Sequence, residues 1–292
     1  MPALERIGLI GVGLMGHGIG LNVAKGGRQL TWLDHPGNQP TEDLAALGAR
    51  KVSDMAALAA ASDAIILCVT GSPQVEAIVL GEGGLLAHLG AGQMLVDCST
   101  ARPRSTLEVA KAVTATGCAF VDAPMTRTPK EAAEGRLNLL VGASEADFAT
   151  VLPLLQSFSE VAKHVGPVGS GHQMKLLHNY VSIGSAVLMA EAAACARRCG
   201  LDPEVFAEVL HEGGGRGATL ERLTPYITSG EVANFRFSVS NGAKDMGYYA
   251  ALAEGEGAAD GVARAVRALL DAQVEAGEGA RMMPELIGLL EG

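Results

Sequence analysis

The chain contains no C-x-x-C pair, and its five cysteines (Cys68, Cys98, Cys118, Cys195, Cys199) are odd in number. That spacing argues against a disulfide framework or a zinc centre. Most of the thiols are expected to be small core residues in a reducing, cytoplasmic setting, and no metal is expected. Positive charge is also scarce. Lys and Arg total 22 against 32 Asp and Glu, and the net charge of −10 argues against a nucleic-acid or anionic-membrane partner. The apolar stretches are broken by Gly, Asp or Ser before the roughly 20 residues a bilayer requires, so no membrane span is expected. Nor is a secretory signal expected ahead of Gly11, because the first strand begins almost at Met1. Internal repeats and low-complexity segments are absent. What remains is 292 residues of 48% apolar content, a globular composition with room for two domains.

The organising stretch runs from Leu9 to Gly27. An apolar run, Ile7 to Ile10, enters Gly11-Val12-Gly13-Leu14-Met15-Gly16, a helical pattern follows, and Gly26-Gly27 ends it. A second apolar run, Leu30 to Leu33, ends on Asp34, 18 positions after Gly16. Strand, glycine turn, helix, strand and acid in this order predict a dinucleotide-binding βαβ unit. The glycines allow the tight turn and the close approach of a pyrophosphate, and the helix N-terminus offers N–H donors to it. A carboxylate at Asp34 accepts from ribose hydroxyls and repels a 2′-phosphate, which favours NAD and leaves NADP possible. Arg28, Arg50 and Lys51 are the nearby cations that could reverse that preference.

Further along, helix is predicted near 42–47, and Ser53 is expected to cap a small Ala-rich helix. Ala64 to Val69 reads as a buried parallel strand. Ligands in such sheets sit beyond the carboxyl ends of the strands, so Val69, Thr70 and the following Gln74 are expected to meet the cofactor. More strands are predicted at 94–96, 119–122, 138–141 and 162–165, with helices at about 104–116 and 145–157. From Gly169 strand signals nearly vanish. One helical pattern spans about 171–199, on the order of 40 Å at 1.5 Å per residue. Others follow at 203–210, 218–227, 242–253 and 260–276. The division expected is a Rossmann domain, 1–166, and an all-helical substrate and dimerisation domain, 167–292, that includes the interdomain helix. The glycine-rich 212–217 follows a helix, so it is read as a connection and not as a second nucleotide loop.

Four ordered segments, IGLIGVGLMGHGI (7–19), DCSTARP (97–103), DAPMTRTPKEAAEGRL (122–137) and GPVGSGHQMKLLHN (166–179), with the weaker Lys244-Asp245 pair, resemble the β-hydroxyacid dehydrogenase family. That family includes 3-hydroxyisobutyrate dehydrogenases and tartronate semialdehyde reductases. The resemblance implies an α/β fold with an N-terminal doubly wound Rossmann sheet, a long interdomain helix, and an all-α C-terminal domain. It implies NAD(P)-dependent interconversion of a small β-hydroxy acid and its semialdehyde, in a homodimer or homotetramer. By the same resemblance Lys175 is the catalytic lysine and Asn179 its substrate-holding neighbour. Ser99 and the loop Thr126-Arg127-Thr128 meet the substrate carboxylate, while Thr100 and Lys244 lie against the nicotinamide. Leu14 and Met15 join the three glycines at the cofactor.

The chemistry suits these residues. Oxidation needs removal of the hydroxyl proton and reduction needs a donor to the carbonyl oxygen. A lysine does both if burial or a nearby positive charge, such as that of the nicotinamide, draws its pKa toward the working pH. Lys175 and Asn179 are four apart on a helix and share a face, which His178 can join. Asp97 and Asp122 are read as braces for backbone N–H groups in their turns and not as general bases. Lys244-Asp245 could equally be an exposed charge pair. Two departures stand out: Thr126-Arg127-Thr128 where the family commonly has Ser-Gly-Gly, and His178-Asn179 where it commonly has Asn-Asn. An arginine in the carboxylate loop raises the alternative of a strongly anionic head, as in the related sulfolactaldehyde reductases. Against it stands an outward or acid-paired Arg127. Imine reduction, which relatives perform with another residue at the lysine position, is disfavoured by Lys175. A non-catalytic NAD-binding regulatory module is the competing class, and the retained Lys175, Asn179 and Ser99 argue against it.

Overall fold

The computed structural model describes residues 4–232 and 235–291. The chain divides into two compact units, Met1–Lys175 and Leu176–Gly292. In the first, β1 (Arg6–Ile10), α1 (Leu14–Lys25) and β2 (Gln29–Leu33) build the opening βαβ. Then come α2 (Glu42–Ala46), β3 (Arg50–Val52), α3 (Met55–Ala60), β4 (Ala64–Leu67), α4 (Ser72–Leu80), β5 (Met94–Asp97), α5 (Pro103–Ala115) and β6 (Ala119–Asp122). The unit continues through β7 (Met125–Thr126), α6 (Pro129–Ala133), β8 (Leu137–Gly142), α7 (Glu145–Leu155), β9 (Ser159–Gly166) and the opening of α8 (Ser170–Arg198).

Among the described residues nine strands form one sheet in the order β3-β2-β1-β4-β5-β6-β8-β7, with β9 beside β8. The pairings from β3 through β6 are parallel, β8 runs antiparallel to β6 and β7, and β9 runs parallel to β8. The central strands read as continuous apolar runs because both faces are covered. On β4, Ala64 and Ile66 enter one core with Leu9, Val96 and Val121, while Ile65 and Leu67 enter the other with Leu95, Phe120 and Val109. The parallel strands from β3 through β6 therefore open their carboxyl ends on one edge, where the turns after β1, β4, β5 and β6 gather.

The second unit is helical. After the remainder of α8 come α9 (Pro203–Glu212), α10 (Ala218–Ser229), α11 (Val239–Gly255), α12 (Gly261–Glu275), a single 3₁₀ turn at Met283–Glu285, and α13 (Leu286–Glu291). Its core joins Ile183, Val187 and Ala190 of α8 to Leu223, Val239, Met246 and Leu270.

Several expectations need correction. Asp54, not Ser53, caps α3, its Oδ1 accepting from the Ala57 N–H at 2.8 Å. The short β3 is largely charged and exposed, and β7 is two residues long, so neither carries an apolar alternation to read. By length and composition α8 is apolar enough to cross a bilayer, contrary to the sequence expectation. Half of that apolar window is buried within the protein, which is how a core helix meets the same criterion. Cys98 and Cys118 are buried as expected, but Cys195 on α8 and Cys199 just after it are exposed.

Candidate active site

The turn after β1 shows which glycines the chain needs for itself. Gly11 has φ +93°, and a Cβ there would run into the Cys68 carbonyl; at Gly16 a Cβ would run into the Gly11 carbonyl. Gly13 is different, because a Cβ at that position meets no protein atom within 4 Å. Nothing in the packing demands glycine there, and its lack of a side chain leaves the backbone open to approach. No side chain caps the start of α1, whose first-turn N–H groups have no partners within the helix. Leu14 is exposed and Met15 half-buried at this helix start. The arrangement fits a dinucleotide diphosphate.

Asp34 follows β2 and is exposed, as expected of a ribose reader. Its Oδ2 lies 3.2 Å from Lys51 Nζ on the neighbouring β3. Arg28 is engaged elsewhere, with the Leu4 and Pro153 carbonyls. Val69 is half-buried just beyond β4 and donates its N–H to Ser99 Oγ at 3.1 Å. Thr70 and Gln74 are exposed at the same edge, and Thr100 is half-buried after β5.

The loops after β5 and β6 meet the first turn of α8. Asp97 Oδ1 accepts from the Ser99 N–H at 2.9 Å, and Asp122 accepts from the N–H groups of Gly169 (2.7 Å) and His172 (2.8 Å). Both acids therefore brace backbone N–H groups, Asp97 in its own turn as expected and Asp122, contrary to the expectation of its own turn, at the distant start of α8. Burial pushes the Asp122 carboxyl above its ordinary range against the pull of His172 and the two donors, and Asp97 adds to the rise. Close approach requires glycine here: a Cβ on Gly171 would meet the Leu140 carbonyl and the Asp122 carboxylate. Lys175 follows one turn later and is half-buried. Ser99 itself is buried and caps no helix; the N-cap of α5 is Arg102.

In the second unit, Asn179 is buried and its Nδ2 donates to Asp245 Oδ2 at 2.7 Å. Lys244 Nζ donates to Asp245 Oδ1 at 2.7 Å and lies 5.0 Å from the Tyr248 ring centroid. Asp245 is 2% exposed, so the reading of an exposed charge pair is corrected. It is the residue that holds the Asn179 amide. Its helix position was visible in the sequence, but its cross-helix partner was not. His178 is exposed, with Nδ1 3.1 Å from Asn179 Oδ1.

Arg127 takes the acid-paired course. Its guanidinium donates to Glu160 and to the Arg136 carbonyl, and the pairing holds the Glu160 carboxyl below its ordinary range. At φ +80° it is the one non-glycine among the described residues in the left-handed region. The backbone thus keeps the shape that a glycine adopts without strain. Thr128 and Glu131 close the loop with a capping box at α6.

Residues 6–166 match the family described as the NAD binding domain of 6-phosphogluconate dehydrogenase, and residues 169–290 that described as NAD-binding of NADP-dependent 3-hydroxyisobutyrate dehydrogenase. The chain is 34% identical to 2-(hydroxymethyl)glutarate dehydrogenase of Eubacterium barkeri, over 83% of this chain and 80% of that relative. It is 30% identical to an NAD-dependent L-serine dehydrogenase of Pseudomonas aeruginosa, over 84% of each. The chain belongs to the 3-hydroxyisobutyrate dehydrogenase family. The fold of the Mycobacterium tuberculosis 3-hydroxyisobutyrate dehydrogenase, solved with L-serine, matches with a TM-score of 0.87 over 99% of this chain and 100% of that one, at 22% identity.

As a member of the 3-hydroxyisobutyrate dehydrogenase family, the protein is an NAD(P)-dependent oxidoreductase acting on hydroxyl groups. Among the described residues no group of three or more His, Cys, Asp or Glu could hold a metal ion. The two turn glycines separate binding from folding. Gly13→Ala should fold with the parental melting temperature and weaken NADH binding about tenfold or more, whereas Gly16→Ala should lower the melting temperature as well. Fluorescence titration and thermal melts of both variants check this, and parental NADH affinity in Gly13→Ala would remove the diphosphate from that turn.

Proposed function

We propose that the enzyme interconverts a small β-hydroxy acid and its semialdehyde, with NAD preferred, and that Lys175 is its acid–base residue. The observation that supports this best is the anchoring of the first turn of α8 to the loops after β5 and β6. It ties the lysine-bearing helix to the same sheet edge as the glycine turn. A nicotinamide held at this edge would supply the acceptor for the hydride of the carbinol carbon. As the hydride leaves, Lys175 as amine accepts the hydroxyl proton; in reduction its ammonium returns a proton to the carbonyl oxygen. Asn179, oriented by Asp245, holds the substrate from the next turn. Ser99 and the 126–128 loop receive the carboxylate, Ser99 through the hydroxyl hydrogen it retains while accepting from Val69. Thr100, Val69, Thr70 and Gln74 would hold the cofactor at the sheet edge, and the family resemblance assigns Lys244 to its nicotinamide end. The names of the relatives, a serine dehydrogenase and a hydroxymethyl diacid dehydrogenase, favour a CH₂OH group β to a carboxylate. The sulfonate alternative would require Arg127 to leave Glu160, so the β-hydroxy carboxylate reading is preferred.

A homo-oligomer is part of this proposal. Leu177, Val181 and Leu188 of α8, with Leu201, Val205 and Val209 near it in sequence, leave large apolar side chains exposed. Such surface favours burial against a second copy. Light scattering should give at least a dimer, and Val181→Glu should shift it toward monomer; a monomeric parent would refute this part.

Lys175→Ala should lower turnover about 10²–10⁴-fold with NADH affinity within about twofold of the parent. The assay takes the fastest substrate among 3-hydroxyisobutyrate, L-serine, glycerate, 2-(hydroxymethyl)glutarate and sulfolactaldehyde. Unchanged turnover would sink the assigned role. Cofactor choice is read separately by binding. Asp34→Ser should raise NADPH affinity relative to NADH by roughly tenfold, and Lys51→Ala should lower it, because one removes the repelling charge and the other its neutralising partner. Identical NADH and NADPH affinities in all three proteins would show that neither residue reads the ribose.

A further inference from the structure

His172 is wholly buried, three residues before Lys175, and has no part in the chemistry above. Its backbone N–H donates to Asp122, and both ring nitrogens are bonded. Nε2 lies 3.0 Å from the Ser99 carbonyl oxygen and Nδ1 lies 2.8 Å from the Thr106 hydroxyl. A carbonyl only accepts, so Nε2 carries a hydrogen. Two carboxylates flank the ring: Asp97 Oδ2 at 3.9 Å from Nε2 and Asp122 Oδ2 at 3.7 Å from Nδ1. Asp97 Oδ2 is buried without a hydrogen-bond partner. One side chain thus joins the end of β5, the start of α5, the end of β6 and the first turn of α8.

Stability does not account for this cluster, since apolar residues of similar volume commonly replace a buried ionic group at no loss. Geometry does. Two of the joined segments carry Ser99 and Lys175, and a buried imidazole bonded at both ring nitrogens fixes their spacing more sharply than apolar contacts, which tolerate repacking.

We propose that His172 is a positioning residue, which clamps the Ser99 carbonyl to the first turn of α8 and so sets the distance between the Ser99–Thr100 loop and Lys175. The proposal rests on the reading of Lys175 as the acid–base residue. A displacement of about 1 Å in such a constellation costs about 10²-fold in rate.

The test uses the full chain and the fastest substrate of the panel above. His172→Leu removes both ring bonds. His172→Gln restores them in kind, because its amide can donate to the Ser99 carbonyl and accept from the Thr106 hydroxyl. His172→Leu is expected to lower kcat by about 30–100-fold, with KM and NADH affinity within about threefold of the parent. His172→Gln is expected to recover at least about tenfold of that loss. Parental kcat in His172→Leu, or equal impairment of the Leu and Gln variants at equal melting temperature, overturns the proposal. Should His172→Leu fail to fold, Thr106→Val removes the Nδ1 partner, together with the Thr106 bond to the Arg102 carbonyl at the start of its own helix, and leaves the Ser99 contact in place: a kcat about 3–10-fold lower at the parental melting temperature supports the clamp, and parental kcat overturns it. Lys175→Ala is run in parallel. If it keeps full turnover, the catalytic reading fails; if it is inactive while His172→Leu turns over normally, only the clamp fails.

Discussion

The carboxylate of Asp122, accepting two backbone N–H groups from the start of α8, is the constraint from which the rest of the candidate site follows. A helix start leaves N–H donors without partners, and burying that end against a sheet is costly unless an acceptor meets them. Asp122 does so from the carboxyl end of β6, with an anion at the positive end of the helix. Gly142 and Gly171 are what let the two segments come within reach, since a Cβ on either would strike the Asp122 carboxylate. A residue one turn into α8 consequently inherits its placement from the sheet.

Much of this could be read from the chain before any coordinates. The glycine turn, Asp34 and the buried strands follow local rules: a continuous apolar run where both faces are covered, a turn that only glycine can make, and an acid at a strand end. The bracing role of Asp97 and Asp122 was legible for the same reason, as each ends a buried strand and faces a turn. What was not legible depends on partners distant in sequence. Nothing in the sequence announces the bond between Asp122 and His172, 50 positions apart, nor that between Asn179 and Asp245, 66 positions apart. The pairing of Lys51 with Asp34 is of the same kind, since β3 is too short and too charged to declare itself a strand.

Arg127 illustrates how substitution and backbone shape can part company. The loop departs from the glycine pattern in sequence but keeps a left-handed φ there in structure. An arginine in that region carries a backbone cost that a glycine would not. Its guanidinium meets Glu160 and the Arg136 carbonyl, which ties the loop after β7 to β9. The side chain therefore serves its own loop in this structure, and the carboxylate-gripping duty falls to Ser99, Thr126 and Thr128 in the reading adopted above.

The cysteines, first met as an odd and unpaired set, have a practical corollary. Burial lifts Cys68 and Cys118 to about 12 and Cys98 well above its usual range, so the sheet-bearing unit holds protonated, poorly nucleophilic sulfur. Cys195 and Cys199 alone stand in water, one helical turn apart near the far end of α8. Maleimide dyes or spin labels would therefore decorate that end of the helix and spare the sheet. Native thiols thus provide an attachment point for optical or magnetic reporters, with no engineered cysteine required.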